Sequence, residues 1–345
     1  MRNLKEVLEF IESNLDVEFE TAKLQRVKAG NAPVISYVWS ELDYPSYPIQ
    51  EQHEDFEKMM CMELNQVVQG ILNRDDRVYS IRANYGVGTL PSLFGATSSF
   101  VDPYQMPWCN HLETKEEVQN LIQKGVPDLN TGFGSRVIET YNFYREMLKG
   151  YPLAEKFIRC YHPDLQGTFD VAHMLIGPEI FYELYDDPEY LKQLLALISD
   201  TYIQYMKKVK TYINDETDGF CYHWNNLFPG KIVLRDDSSV CLSLEMFQEF
   251  VLPYNNKILE AFGRGSIHYC GAKQTWLEEM LQKTKGLAGI NFGRVPNLQY
   301  GVELLKDVKW MIGDRDIRIV SYNVTDEEYQ ECIAQGYTQN ISYLK

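Results

Sequence analysis

Two good metal ligands sit two residues apart in the stretch Ser266-Ile267-His268-Tyr269-Cys270-Gly271. A short apolar, β-branched run leads into them, and a glycine closes it. Successive residues of a strand point to opposite faces, so His268 and Cys270 project to the same face if the strand runs through both. A neutral imidazole beside a thiolate suits a borderline-soft ion such as zinc. The plainer reading is a buried histidine next to an inert, apolar-like cysteine. What separates the two is the fold that carries the pair.

Several other predicted strands also end in polar chemistry. Val78–Ala83 ends in Asn84 and Tyr85, and the candidate strand Lys156–Tyr161 ends in His162-Pro163-Asp164. Gly219–Trp224 carries Cys221 and His223, and Ile232–Arg235 ends in Asp236-Asp237. Leu287–Phe292 contains Asn291, and Ile317–Ser321 is followed by Tyr322. Loops are polar in any protein, but three of the six histidines fall at these strand ends.

Between these strands lie helical periodicities, at Leu191–Val209, Leu244–Phe262, Gln274–Thr284, Tyr300–Lys306 and Asp326–Gln335. Strand alternating with helix means a mostly parallel sheet. Seven strands are counted, counting Gly265–Cys270, and an eighth is sought near Val34–Trp39 or in residues 100–135. No G-x-G-x-x-G follows any strand, which argues against a doubly wound dinucleotide-binding sheet. The expectation is an α/β protein, a (β/α)8 TIM barrel, with its site at the C-terminal ends of the strands. Residues 1–75 read as an N-terminal helical extension packed on a barrel of residues 76–345, one structural domain overall. Leu4, Val7, Leu8 and Ile11 set the first helix, and Phe56, Met59, Met60, Leu64 and Val67 a second.

A chain of 345 residues with 45% hydrophobic residues can bury the core of such a barrel. Its formal charge of −16 opposes binding to nucleic acid or to an anionic membrane. Seven cysteines, an odd number without a C-x-x-C pair, speak against a disulfide framework and for a reducing compartment. The opening MRNLKEVLEFIESNLDVEFE has no apolar core of signal-peptide length, so a cytoplasmic location is expected. The 24 tyrosines line core and cleft, and an aromatic-rich mouth would suit a flat ring substrate.

The run from Arg235-Asp236-Asp237-Ser238-Ser239 through Leu242-Ser243-Leu244-Glu245-Met246-Phe247 to Phe250-Val251-Leu252-Pro253-Tyr254 resembles the uroporphyrinogen decarboxylase superfamily. His162-Pro163-Asp164 through Asp170, with Gly177 and Leu184 to Glu189, is a second match, and His268-Tyr269-Cys270-Gly271 a third. Together they span roughly residues 78–325. The resemblance implies a (β/α)8 barrel with a deep cleft at its mouth, and relatives often pair as homodimers across it. The arginine-rich segment with which the decarboxylases grip substrate carboxylates is absent. Asn84-Tyr85-Gly86 stands where their substrate-binding aspartate belongs, and His173 replaces a tyrosine of theirs. The methyltransferase branch is nearer, because its zinc ligands begin with H-x-C-G. These enzymes move a methyl group between a corrinoid carried by a partner protein and a thiol.

On this reading His268 and Cys270 hold zinc. The branch's third ligand, a cysteine after the last strand, has no counterpart, since Ile317–Asn323 contains none. Cys221, His223 and Asp237 are the candidates for that place. His223, Asp237 and His173 are the expected catalytic residues, and Asn84, Tyr85, Asp236, Asn291 and Tyr322 the expected substrate contacts. The alternatives are a cofactor-free decarboxylase or lyase acting on a tetrapyrrole or aromatic acid, and a non-catalytic barrel that binds a ligand or a corrinoid partner.

Overall fold

A computed structural model describes residues 3–30, 34–36, 44–271, 273–294 and 300–345. Its frame is a (β/α)8 barrel whose strands follow one another in chain order. They are β1 (Val34–Ser36), β2 (Ser80–Ile81), β3 (Arg159–Cys160), β4 (Val233–Arg235), β5 (Gly265–Cys270), β6 (Leu287–Gly293), β7 (Arg318–Asn323) and β8 (Ile341–Leu344). Strands β4 to β8 and then β1 form one continuous parallel ladder of six, and β2 and β3 a parallel pair. The two pieces meet on both sides. An isolated parallel bridge joins Gln166 to Arg235. At the other seam Asp76 donates its N–H to the Ile35 carbonyl and accepts from the Ile35 N–H.

Alternation along the strands sorts their side chains. Ile267 and Tyr269 of β5, Ile290 and Phe292 of β6, and Ile319 and Tyr322 of β7 join the main apolar core with the surrounding helices. Ser266, His268, Asn291 and Val320 take the other face, the inside of the barrel. The first helix, Leu4–Asn14, is capped by Asn3, whose side chain accepts from the Glu6 N–H, and it buries Leu4, Val7, Leu8 and Ile11 as its spacing requires. It packs on the helix Phe56–Asn73, capped by Asp55. Among the described residues no helix is long and apolar enough to cross a membrane.

The structure departs from the sequence-based expectation in several places. Phe220–His223 is not a barrel strand. It pairs antiparallel with Asn226–Pro229, and the hairpin lies inside the barrel against β5, β6 and β7. Cys221 and Phe228 of the hairpin pack on Val233 and Val320. Its approach is so close that a side chain at Gly289 would meet Pro229 and the Ser266 hydroxyl within 3 Å. The alternating pattern of Gly219–Trp224 is that of a half-buried strand, and periodicity does not distinguish a barrel strand from a plug.

The place it was given in the barrel belongs to β8, a strand not anticipated near the end of the chain. Strand β1 confirms the site near Val34, although the rest of the expected run to Trp39 lies outside the described residues. With β1 in the ladder, the barrel sheet begins within the stretch read as an N-terminal extension. Lys156 and Phe157 end a helix, Pro152–Phe157, instead of opening β3. The segment Leu244–Phe262 is two helices, Leu244–Phe250 and Leu252–Phe262, broken at Val251 because Pro253 lacks the N–H that a continuous helix needs. Residues 86–111 contain a helical turn at Thr89–Leu93 and an antiparallel ribbon of Ser98–Ser99 with Trp108–Cys109.

Candidate functional site

His268 and Asn291 are register partners on β5 and β6, so their side chains stand together on the inner face. Asn291 donates from Nδ2 to the Val320 carbonyl at 2.6 Å and also approaches that of Ser321 at 3.3 Å. That fixes its amide orientation and leaves Oδ1 to face His268 Nδ1, 2.5 Å away. Because Oδ1 only accepts, the imidazole proton sits on Nδ1, and Nε2 presents a bare lone pair. That lone pair faces Cys270 Sγ at 3.4 Å and Asp237 Oδ1 at 3.6 Å.

The third member is held in place from two directions. Asp237 Oδ1 accepts the Cys270 N–H at 2.6 Å. Its own N–H and that of Ser238 are bound by the two carboxylate oxygens of Asp170, which reaches in from the helix Thr168–Ile176. Asp237, His268 and Cys270 thus offer one oxygen, one nitrogen and one sulfur within 4.8 Å of one another. Gly293 makes room for this, since a Cβ there would lie 2.5 Å from Cys270 Sγ.

Burial lowers the pKa of His268, so it is neutral. Burial, with the Asp237 carboxylate next, pushes Cys270 up to about 12, so without a cation it is a thiol. Three lone-pair donors gathered with no positive group among them fit zinc in type and number. Cys270 is exposed and the Asp237 side chain is 37% exposed, so the group opens outward, as a site with a free fourth position must.

The imidazole and Asn291 also line a cavity of about 610 Å³ at the C-terminal ends of the strands. Ser321, Asn323 and Trp224 continue that wall, and Glu63, Arg82 and Asn84 form another part of the lining. Arg82 is paired with Asp164 and lies 3.8 Å from Glu63. Asp164 also pairs with Arg235. Burial opposes ionisation of Asp164, but the two guanidiniums outweigh it and hold the carboxyl down at about 2. Glu63 is shifted the other way, upward, chiefly by burial.

Of the residues singled out in the sequence, His268, Cys270, Asp237, Asn291 and Asn84 are at this site. The others lie elsewhere. Cys221, a candidate ligand, is fully buried in the apolar cluster of the internal hairpin, where burial pushes its pKa strongly upward. His223, a candidate catalytic residue, is fully buried behind Trp224. There its Nε2 meets Arg235 at 2.9 Å and its ring packs 4.5 Å from His162.

His173 bonds the Ser238 hydroxyl at 3.0 Å and so braces the Asp237 loop from outside the cavity. Asp236 points away from the mouth and accepts from Asn255. Tyr85 and Tyr322, expected to touch substrate, are fully buried. Tyr85 bonds Thr140 and stacks on Phe133, and Tyr322 bonds the Gly301 carbonyl. Along β7 a register shift between Ile319 and Tyr322, with Ser321 at a φ of 53°, breaks the alternation, so Tyr322 joins the outer core with Ile319 and its neighbours Ser321 and Asn323 line the cavity.

Glu63, Arg82, Asp170, Trp224 and Arg235 were not singled out. Asp170 and Arg235 lay within the matched motifs, so a signal for them existed. Glu63 shares a helix with the apolar stripe of Met59, Met60 and Leu64, and nothing local marks it.

In barrels of this kind, active sites lie at the C-terminal ends of the strands, where this cavity is. Residues 230–344 match the model of the uroporphyrinogen decarboxylase (URO-D) family. No curated protein matches the sequence. Among solved structures, a methyltransferase from Methanosarcina mazei is similar, with a TM-score of 0.65 and 17% identity over 94% of this chain and 92% of that one. At that identity the likeness is one of fold. The matched stretch covers the strands and loops that carry His268, Cys270 and Asp237, and the likeness of fold spans nearly the whole chain.

Proposed function

We propose that the protein is a zinc-dependent methyltransferase that moves a methyl group between a corrinoid carried by a partner protein and a thiol or similar acceptor. The observation that carries this reading is the group Asp237, His268 and Cys270, with Nε2 of His268 already freed by Asn291. The methyltransferase named among similar structures supports it at the level of fold. Zinc held there supplies the positive charge that strips the proton from an acceptor thiol.

The chain's own residues do the rest. Asn291 keeps the Nδ1 proton of His268 in place, so the ring cannot turn or change tautomer. Asp170 fixes the Asp237 backbone, so the carboxylate is placed in advance of binding. Cys270 gives up its proton on ligation and becomes the anionic donor of the set. Trp224 packs edge-on against His268 and, with the cavity wall, shields the imidazole side of the group from bulk water, while the Cys270 side stays open. The outward opening at Cys270 is where a docked corrinoid protein would present its methyl group in line with the acceptor.

Metal analysis and a cobalamin assay test this. Protein from zinc-replete cells is expected to carry one zinc per chain, with His268→Ala carrying none. The zinc protein should demethylate methylcobalamin in the presence of a thiol from a panel, seen in the cobalamin spectrum, and lose that activity to a chelator. Absence of zinc, or an activity indifferent to chelation, would overturn the reading and favour a lyase.

A further inference from the structure

The tip of the internal hairpin adopts a backbone conformation that its first residue disfavours. Trp224 and Asn225 form a two-residue turn with φ of 46° and 55°. Turns of that hand take Asn or Gly readily, and Asn225 fits, but a bulky indole at positive φ is an outlier. Outliers of this kind persist where the surroundings over-determine them, and they cluster at ligand sites.

What the turn secures is a flat surface in the cavity. The guanidinium of Arg235 lies 4.3 Å from the indole centroid, covering one face. The ring's aromatic neighbours among the described residues are His223, Phe228 and His268. They meet it at 63°, 68° and 76°, all edge-on. No described ring is stacked on it, and it lines the cavity.

Elsewhere in the lining are a buried donor without an acceptor, Arg82 Nε, and a buried acceptor without a donor, Asn84 Oδ1. Both side chains converge on one carboxylate oxygen, Glu63 Oε1, which lies 3.8 Å from Arg82 Nε and 3.0 Å from Asn84 Nδ2. An unmatched buried polar group costs free energy until something matches it. A hydroxyl is the small group that can accept from one of these atoms and donate to the other.

We propose that the cavity binds a planar ring compound bearing a hydroxyl group. The ring stacks on Trp224 and the hydroxyl sits between Arg82 Nε and Asn84 Oδ1. This rests on the methyl-transfer reading and deepens it, because it names the class of small molecule brought to the metal group.

Calorimetric titration of the zinc-loaded protein with 2-naphthol, decahydro-2-naphthol and naphthalene tests it. The first probe has both features, the second lacks the plane and the third lacks the hydroxyl. 2-Naphthol is expected to bind roughly tenfold or more tightly than either of the others. Trp224→Leu should erase the preference over decahydro-2-naphthol, and Trp224→Phe should restore much of it. Asn84→Ala should erase the preference over naphthalene. Zinc content, measured on each variant, shows that the metal group is still assembled.

Equal binding of the three probes, or no binding of 2-naphthol, overturns the proposal. So does a Trp224→Leu protein with full zinc that keeps the preference for the flat ring. The methylcobalamin assay on the same preparation separates the two readings. Ring selectivity without demethylation would sink methyl transfer alone, and demethylation without ring selectivity would sink the ring-hydroxyl site alone.

Discussion

In the proposed metal group, Asn291 carries more weight than its type implies. Its amide is locked by two carbonyls of β7, and it passes that orientation on to the imidazole of His268. Partners of this kind are worth roughly 10–100-fold in metal affinity. Asn291→Ala is therefore expected to weaken zinc binding by about that factor in a chelator competition. Cys221→Ala should leave it unchanged, since that thiol is walled off by Phe228, Val233 and Val320. Equal losses in the two variants would mean that general loosening of the barrel, and not ligand orientation, sets the affinity. His223 shows the same lesson in reverse. It is a histidine at a predicted strand end, yet Arg235 occupies its Nε2, His162 packs on its ring and burial keeps it neutral.

At the scale of the element, the internal hairpin is the unusual part of this barrel. Its turn places a tryptophan where glycine is easiest, at a cost of about 1–2 kcal/mol for the left-handed backbone. The order of two truncations follows from this. In a strand or helix interior, Ala is more stable than Gly. At position 224 the order reverses, and Trp224→Gly is expected to be the more stable variant by about 1 kcal/mol, because only Ala bears the steric penalty. Urea unfolding of the pair measures it. An alanine variant at least as stable as the glycine one would show that the turn relaxes when the indole is removed. The break between Leu244–Phe250 and Leu252–Phe262 is a simpler case, set by a proline one residue into the second helix.

For the molecule as a whole, the metal group joins three successive barrel units. His268 and Cys270 come from β5, Asn291 from β6, and Asp237 from the loop after β4, itself pinned by Asp170 from the helix beyond β3. A ligand that binds only when these elements are in register stabilises the fold as a unit. At a hundredfold excess over its dissociation constant, zinc should add about 2.7 kcal/mol. Thermal unfolding with and without a chelator should therefore show the zinc form melting several degrees higher. The difference should vanish in His268→Ala. A melting temperature indifferent to zinc would place the metal, if bound, outside the barrel frame.

Much of this architecture was legible in the residues themselves. The strands at 265–270, 287–293 and 318–323 are marked by apolar alternation, which is a local property of the chain. Five residues of the candidate site, His268, Cys270, Asp237, Asn291 and Asn84, stand in or just after the C-terminal parts of strands, where the barrel rule points. The strand order, the hairpin inside the barrel and the third member of the proposed metal group were decided only in three dimensions. Cys221 was the expected third ligand, with His223 and Asp237 as alternatives, because each follows or ends a predicted strand and sequence spacing says nothing of distance across a barrel. The fold chose Asp237, since an antiparallel turn buries the other two on the wrong side of Trp224. The pair His268 and Cys270 was determined by the pleat of a single strand; the group they belong to exists only because separate strands, each silent about the others, close into one ring.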